Sequence, residues 1–366
     1  MQSIIFFPIL LFFCSFFNYF GDKYKSFYLN MLYSISFILV VFLFGVRVNF
    51  GIDHPEYVSL YFNQKALWLE PGYAYINKIL LKYHFPYQVL FIVISALQFG
   101  LFFQACNELK ISIFLGFFFF YIAYIFSYVN IARQAIAISI SFLAIAYYVN
   151  NKKKLFLLYW IIALGFHKSA IIIPLILFFS SLIMKINLKL WAYLSIFIFV
   201  FCFYDRFYDI IGGVISVILG DEYSYIFNSW KIPLGSGLGV RIKMLSYFIT
   251  LPYLIEFRKN NQKYNFIFNL FYIGIIGEFV SSINMNLSRL FYYFSLMQVY
   301  VFSYGVIHIT RSKLAKLDLK TCLFIFGCIL LVFLFFINSY KGILNTKYYM
   351  WDLDFSYKTN LPWRFE

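Results

Sequence analysis

Charged side chains are scarce: Asp, Glu, Lys and Arg together make up 12% of the 366 residues, about half the share an ordinary soluble domain carries. With 63% of the chain hydrophobic, a water-soluble fold could not hide its apolar surface, and that class is excluded. Metal-ligand spacing is missing as well. His54, His84, His167 and His308 form no HExxH or related pattern, so neither a metal nor another cofactor is expected. The five cysteines, Cys14, Cys106, Cys202, Cys322 and Cys328, lie in or beside apolar runs without a CxxC pair. They read as buried thiols, not as a disulfide framework. No internal repeat or separate soluble domain is visible, and the glycine-rich stretch from Gly235 to Gly239 follows no strand, so it reads as a loop entry and not as a nucleotide site. The apolar start, Ile4 to Phe20, has no basic leader and no small-residue cleavage site; it reads as a retained first helix.

What the chain has is long apolar runs, at about 3–20, 28–46, 86–105, 111–128, 131–149, 155–183, 190–204, 241–257, 264–280, 288–308 and 321–338. A hydrocarbon core of about 30 Å takes roughly 20 residues of helix. The run 155–183 is too long for one comfortable crossing and is interrupted by His167, Lys168 and Ser169 and by Pro174. It reads as a helical hairpin or a broken helix. The net charge of +15 does not point to nucleic acid, because Lys and Arg cluster in short loops between the runs: Lys23/Lys25, Lys110, Lys152 to Lys154, Lys185/Lys189, Arg258/Lys259/Lys263 and Arg311/Lys313/Lys316/Lys320. Short basic loops stay cytoplasmic. If the broken segment enters and returns, all of them share one side. The expectation is an all-α, polytopic integral membrane protein of about twelve segments, a single transmembrane domain over 1–366 with both termini outside the cytoplasm. The long connections 47–85 and 205–240 and the tail 339–366 then lie at the outer face.

Ionisable groups in or beside membrane helices are expensive, and each is a candidate for function. The outer-face set is Arg47, Asp53, Glu70, Arg133, His167, Lys168, Glu278 and Arg289. Arg47 reads equally as a snorkelling headgroup anchor. Gly51 before Asp53 allows a tight turn that aims the carboxylate into a cleft, with Tyr57 a turn further on; a plain Asx turn is the alternative. Glu70 before Pro71 is as consistent with a helix cap as with a ligand-binding carboxylate. Arg133, flanked by Asn130 and Gln134 at the start of an apolar helix, is harder to dismiss, since a guanidinium grips two phosphate oxygens in a fixed fork. His167 lies at the break, where non-helical backbone needs protein or a wet cavity around it; a satisfied structural histidine is the alternative. Arg289 beside Tyr292 reads as an anion ligand or an interfacial anchor.

Five short motifs in order, Arg47-x-x-x-Gly51-x-Asp53-x-x-x-Tyr57, Glu70-Pro71-Gly72-Tyr73, Asn130-x-x-Arg133-Gln134, Phe166-His167-x-Ser169-Ala170 and Arg289-x-x-Tyr292-Tyr293-Phe294, span most of the chain. In these the sequence resembles the EpsG-like family of Wzy-type bacterial polysaccharide polymerases, with Pro55 a local departure. The resemblance implies an inner-membrane glycosyltransferase working on its periplasmic side. Its donor and acceptor would be oligosaccharide repeats on undecaprenyl pyrophosphate, and its product O-antigen, capsule or exopolysaccharide. Membrane lipids are the other expected partners, with a chain-length regulator as an optional one. Under that implication Arg133, Arg47 and Arg289 stabilise the pyrophosphate leaving group, and His167, Asp53 or Glu70 serves as base, His167 first. Gln134, Tyr57, Tyr73, Asn130, Lys168, Ser169 and Tyr292 would contact substrate. A glycan ligase using the same carrier and a polysaccharide flippase are the competing readings.

Overall fold

In lipid every backbone N–H and C=O must be bonded within the protein, which leaves an apolar chain of this kind the helix as its spanning structure. The computed structural model describes residues 2–23, 27–45, 53–219, 238–259, 261–281, 285–311 and 318–344. Among these every regular element is helical. Five stretches are long and apolar enough to cross a bilayer: Tyr87–Leu109, Ile113–Asn130, Ala132–Val149, Ser288–Thr310 and Leu319–Ile337. Shorter apolar stretches lie at Ile9–Phe20, Met31–Phe42 and Leu190–Val200. The chain forms two compact units, one of Met1–Ile173 with Phe335–Glu366 and one of Pro174–Leu334.

In the first unit, α1 (Gln2–Lys23), α2 (Phe27–Gly45), α3 (His54–Phe62), α4 (Pro71–Lys82), α5 (Tyr87–Leu109) and α6 (Ile113–Asn130) precede the central α7 (Ala132–Val149). Ala135, Ala137, Ser139, Ser141, Ala144 and Ala146 keep α7 slim and are fully buried. Small residues of this kind let membrane helices approach closely. Aromatic side chains fill the space between: Phe102 lies 4.6 Å from Phe120 and 5.7 Å from Phe142, ring centroid to centroid.

After α7 comes α8 (Lys153–Phe166), and there the long apolar run breaks. His167 is extended, with φ −160° and ψ 126°, and a 3-10 turn (Lys168–Ile171) leads into α9 (Ile172–Phe178) and α10 (Ser180–Lys185). The indole N–H of Trp160 donates to the carbonyl of Ala170 at 3.1 Å. In a straight helix those residues would stand about 15 Å apart along the axis, so the chain doubles back at His167. Pro174 sits in the first turn of α9, where its missing N–H costs nothing.

The second unit is organised around α13 (Gln262–Val280), which packs on α10, α11 (Leu190–Leu219), α14 (Met285–Ser295) and α15 (Gln298–Arg311); α12 (Leu238–Leu254) and much of α16 (Leu319–Leu344) complete it. The run 288–308 is interrupted where the sequence suggests none. At Leu296 and Met297 the bonds tighten to three-residue spacing, Met297 N–H to Phe294 O and Val299 N–H to Leu296 O, each 3.0 Å. Beside it is a contact remote in sequence: the backbone of Phe294 and Ser295 lies against Gly274 of α13, leaving no room for a Cβ there.

Arg258, grouped by sequence with the basic loops, is 3% exposed. Its Nη2 donates to Ile186 O at 2.9 Å and Asn187 Oδ1 at 3.1 Å, its Nη1 to Leu188 O at 3.3 Å, and its Nε to Asn265 Oδ1 at 2.7 Å. Its guanidinium lies 4.7 Å from the Tyr193 ring centroid. Asn265 and Asn269 take Met184 O and Ile183 O. Three side chains thus satisfy the carbonyls that α10 leaves open at its end. Replacing Arg258 by Ala strands several buried acceptors and should destabilise the protein by roughly 3 kcal/mol. Exposed Lys259 replaced by Ala should stay within about 0.5 kcal/mol. Thermal unfolding in detergent separates the two, and equal midpoints would remove Arg258 from this role.

Candidate active site

Four segments of the first unit converge at helix ends. The first is α3, whose N-terminal position is taken by Asp53 and whose first turn holds Pro55. Proline is at home there, so the local departure from the family pattern fits a helix start. The Asp53 carboxylate makes no cap bond, while its carbonyl accepts from Tyr57 N–H at 3.1 Å. The second is α4, with Glu70 in the cap position and Pro71 at its first residue. The cap reading of Glu70 fails in one respect: the carboxylate makes no cap hydrogen bond. It accepts instead from Arg133 Nη1 at 2.6 Å, the two side chains being 9% and 22% exposed.

Arg133 comes from the first turn of α7, the third segment. Its guanidinium carbon lies 5.9 Å from the centroid of the Tyr73 ring, Tyr73 packs edge-on against Tyr57 at 6.2 Å, and the Tyr57 phenol faces the guanidinium. Burial pushes the Glu70 carboxyl up, but its own backbone N–H and Arg133, with His167 adding to them, outweigh it and hold it below the usual carboxylate range. A depressed carboxylate stays ionised at neutral pH, and its contribution is lost only as pH falls through that lowered value. Burial raises the Tyr57 phenol, offset in part by Arg133 and reinforced by Asp53, so Tyr57 is neutral. Arg133 Nε is buried and has no hydrogen-bond partner among the described residues.

The fourth segment is the break. His167 Nδ1 lies 2.6 Å from Ser169 Oγ and accepts from Ser169 N–H at 3.3 Å. Gln134 Nε2 donates to Ser169 Oγ at 3.3 Å. A neutral imidazole that accepts at Nδ1 carries its proton on Nε2, and one that donates Nδ1–H to Ser169 Oγ leaves Nε2 the acceptor. The contact that sets break and pair side by side is made by main chain. A Cβ at Gly72 would stand 2.9 Å from the Gly165 carbonyl oxygen and 3.1 Å from the Phe166 ring, so α4 rests on the last turn of α8 at a distance only glycine allows.

Asp53, Tyr57, Glu70, Tyr73, Arg133, Gln134, His167 and Ser169 therefore belong to one region. Asn130 ends α6 and spends its amide on Phe126 O at 2.9 Å. Lys168 is exposed. Arg47 lies outside the described residues, and Arg289 and Tyr292 belong to the second unit. Sequence reasoning missed Gln98, which donates to Ala132 O at 3.1 Å and steadies the start of α7. It also missed Lys243, which pairs with Glu278 in the second unit. A basic and an acidic residue just inside two successive apolar runs was the available signal.

These features define a helical, polytopic membrane protein with a polar site built where helices end or unwind. The sequence profile of the EpsG family matches residues 30–350. The chain belongs to the EpsG family, a family of polysaccharide polymerase-like membrane proteins. No curated protein and no solved structure matches it.

The glycine contact is asymmetric, which makes it testable. A Cβ at Gly165 would find its nearest neighbour, Gly72 N, at 4.0 Å, an ordinary contact. Gly165→Ala should keep the wild-type unfolding midpoint or gain from alanine's helix preference, worth about 1 kcal/mol, whereas Gly72→Ala should lower both stability and polysaccharide chain extension. Paired thermal scans and product ladders check it; the reverse order would mean that α4 does not approach α8 this closely.

Proposed function

We propose that the protein is a Wzy-type polymerase that joins oligosaccharide repeats carried on undecaprenyl pyrophosphate, at the periplasmic side of the inner membrane. A hydroxyl of the acceptor repeat attacks the anomeric carbon of the donor, and the bond from that carbon to the phosphate oxygen breaks. The electron pair leaves with the pyrophosphate, and the hydroxyl proton passes to a base, His167, Asp53 or Glu70. The chain, longer by one repeat, stays on the acceptor's carrier. The single observation that carries this reading is the Arg133 guanidinium, fixed by Glu70 and walled by Tyr57 and Tyr73, with a buried Nε–H that has no acceptor among the described residues. A donor fixed before charge develops stabilises a leaving pyrophosphate without reorganising. His167, with one ring nitrogen against Ser169, is the first choice for that base. Arg47, Arg289 and Lys168 remain proposed contacts of the lipid-linked substrate.

Discontinuous helices occurring in symmetric pairs would favour a flippase. The interruption at Leu296 keeps helical bonding, so it is no counterpart of the unwound turn at His167. A ligase using the same carrier is separated by its acceptor: loss of a polymerase leaves single repeats capped on their final acceptor, loss of a ligase leaves none.

Arg133→Lys keeps the charge and loses the fork. One charge-assisted hydrogen bond is worth about 1.5 to 3 kcal/mol, so polymerisation should fall at least roughly tenfold with protein level unchanged. Purified protein in nanodiscs, given a synthetic undecaprenyl-pyrophosphate repeat, reports this as a ladder on a gel, and a normal ladder would reduce Arg133 to a headgroup anchor. The orientation has its own check. In a cysteine-free background, a thiol placed at Lys65 should react with an impermeant reagent in intact cells and one at Asn261 should not; the opposite pattern would reverse the assignment of faces.

A further inference from the structure

Buried ions inside membrane helices call for a reason, and the second unit holds a pair. Lys243, in the second turn of α12, donates to Glu278 Oε1, in the last turn of α13. Glu278 is 8% exposed. The other carboxylate oxygen, Oε2, is buried and has no hydrogen-bond partner among the described residues. Around the pair stand Tyr247, whose ring centroid is 5.9 Å from Lys243 Nζ and whose hydroxyl donates to Gln298 Oε1 at 2.5 Å, and Tyr292. The pair lies near the ends of α12 and α13 that lead into the connections at 219–238 and 281–285. The Arg258 cluster sits at the opposite ends of the same two helices.

A carboxylate oxygen deprived of water needs a donor, and an unsatisfied buried acceptor costs about as much as a lost hydrogen bond. Lys243 already satisfies one oxygen, and the fully buried Tyr247 ring beneath its Nζ holds that lysine in place. We propose that the Lys243–Glu278 pair is a saccharide subsite, in which Glu278 Oε2 accepts a hydrogen bond from a hydroxyl of the acceptor repeat unit. This inference rests on the polymerase reading. It assigns to the second unit the recognition of glycan, a task distinct from the stabilisation of pyrophosphate by Arg133. Glu278 is then a binding residue and Lys243 the group that positions it.

A structural ion pair and a binding carboxylate respond differently when the pair is removed as a unit. Replacing both members of a buried pair by neutral groups of similar size is often neutral for stability. The test uses the full-length protein in nanodiscs, with the repeat-unit oligosaccharide released from its carrier by mild acid as the probe for binding and the lipid-linked repeat for extension. For the double variant Lys243→Met/Glu278→Met we expect the unfolding midpoint of the wild type, a KM for acceptor raised at least roughly tenfold, equivalent to one hydrogen bond, and probe binding weakened to match. A folded double variant with wild-type KM and wild-type probe binding overturns the proposal. Should that variant fail to fold, the exchange Lys243→Glu/Glu278→Lys restores the pair with the carboxylate on the other helix: recovered folding without recovered binding supports the subsite, and recovery of both overturns it. Wild-type protein that binds the probe but extends no lipid-linked repeat would instead overturn the polymerase reading, an outcome read on the same sample.

Discussion

The hydrogen-bonded ion pair between Arg133 and Glu70 is the constraint on which the candidate site depends. It joins residues 63 apart in sequence and fastens the start of α4 to the start of α7. Without it, α3 and α4 would be held mainly by their aromatic contacts, because neither belongs to the long apolar helices that lipid itself stabilises. The pair also sets the electrostatics of its surroundings. A carboxylate kept ionised by an adjacent guanidinium, and a phenol kept neutral by burial, give the pocket a fixed pattern of charge before any ligand arrives.

Much of this architecture is legible in the residue order, because lipid as solvent leaves few choices. Long apolar runs with basic edges have to be helices. The break at His167 is legible for a similar reason: a run too long for one crossing that carries three polar residues at its middle has to be interrupted there. Glu70 shows where such reasoning stops. An acid before a proline fits a helix cap and fits a ligand site equally well, and only its partner decides, a partner 63 positions away that no local pattern reports. The interruption at Leu296 is illegible on the same ground, since the glycine it packs against lies on a neighbouring helix. Lys243 hid behind a plausible alternative: a lysine near the edge of an apolar run looks like one that snorkels.

Buried charged side chains in this protein play opposite parts. Arg258 is a cation that makes four hydrogen bonds to the main-chain and side-chain oxygens around a helix end, so its chemistry goes into holding the fold. Arg133 and Glu278 each keep one buried polar atom without a partner among the described residues. The difference between a charge that is consumed by structure and one that retains capacity is visible in the hydrogen bonds and not in burial, which is deep at Arg258 and at Glu278 alike.

The doubling back of the chain at His167 bears on how the protein is made. Residues 155–183 leave the ribosome as one hydrophobic stretch whose polar centre marks where it breaks but does not by itself hold the turn. The groups that receive the turn, Gln134 on α7 and Trp160 on α8, lie earlier in the sequence and are already synthesised when Ser169 and Ala170 emerge. Vectorial synthesis therefore delivers a preformed template to the segment that needs one, and the unwound turn can be captured as it appears instead of being carved later from a settled helix.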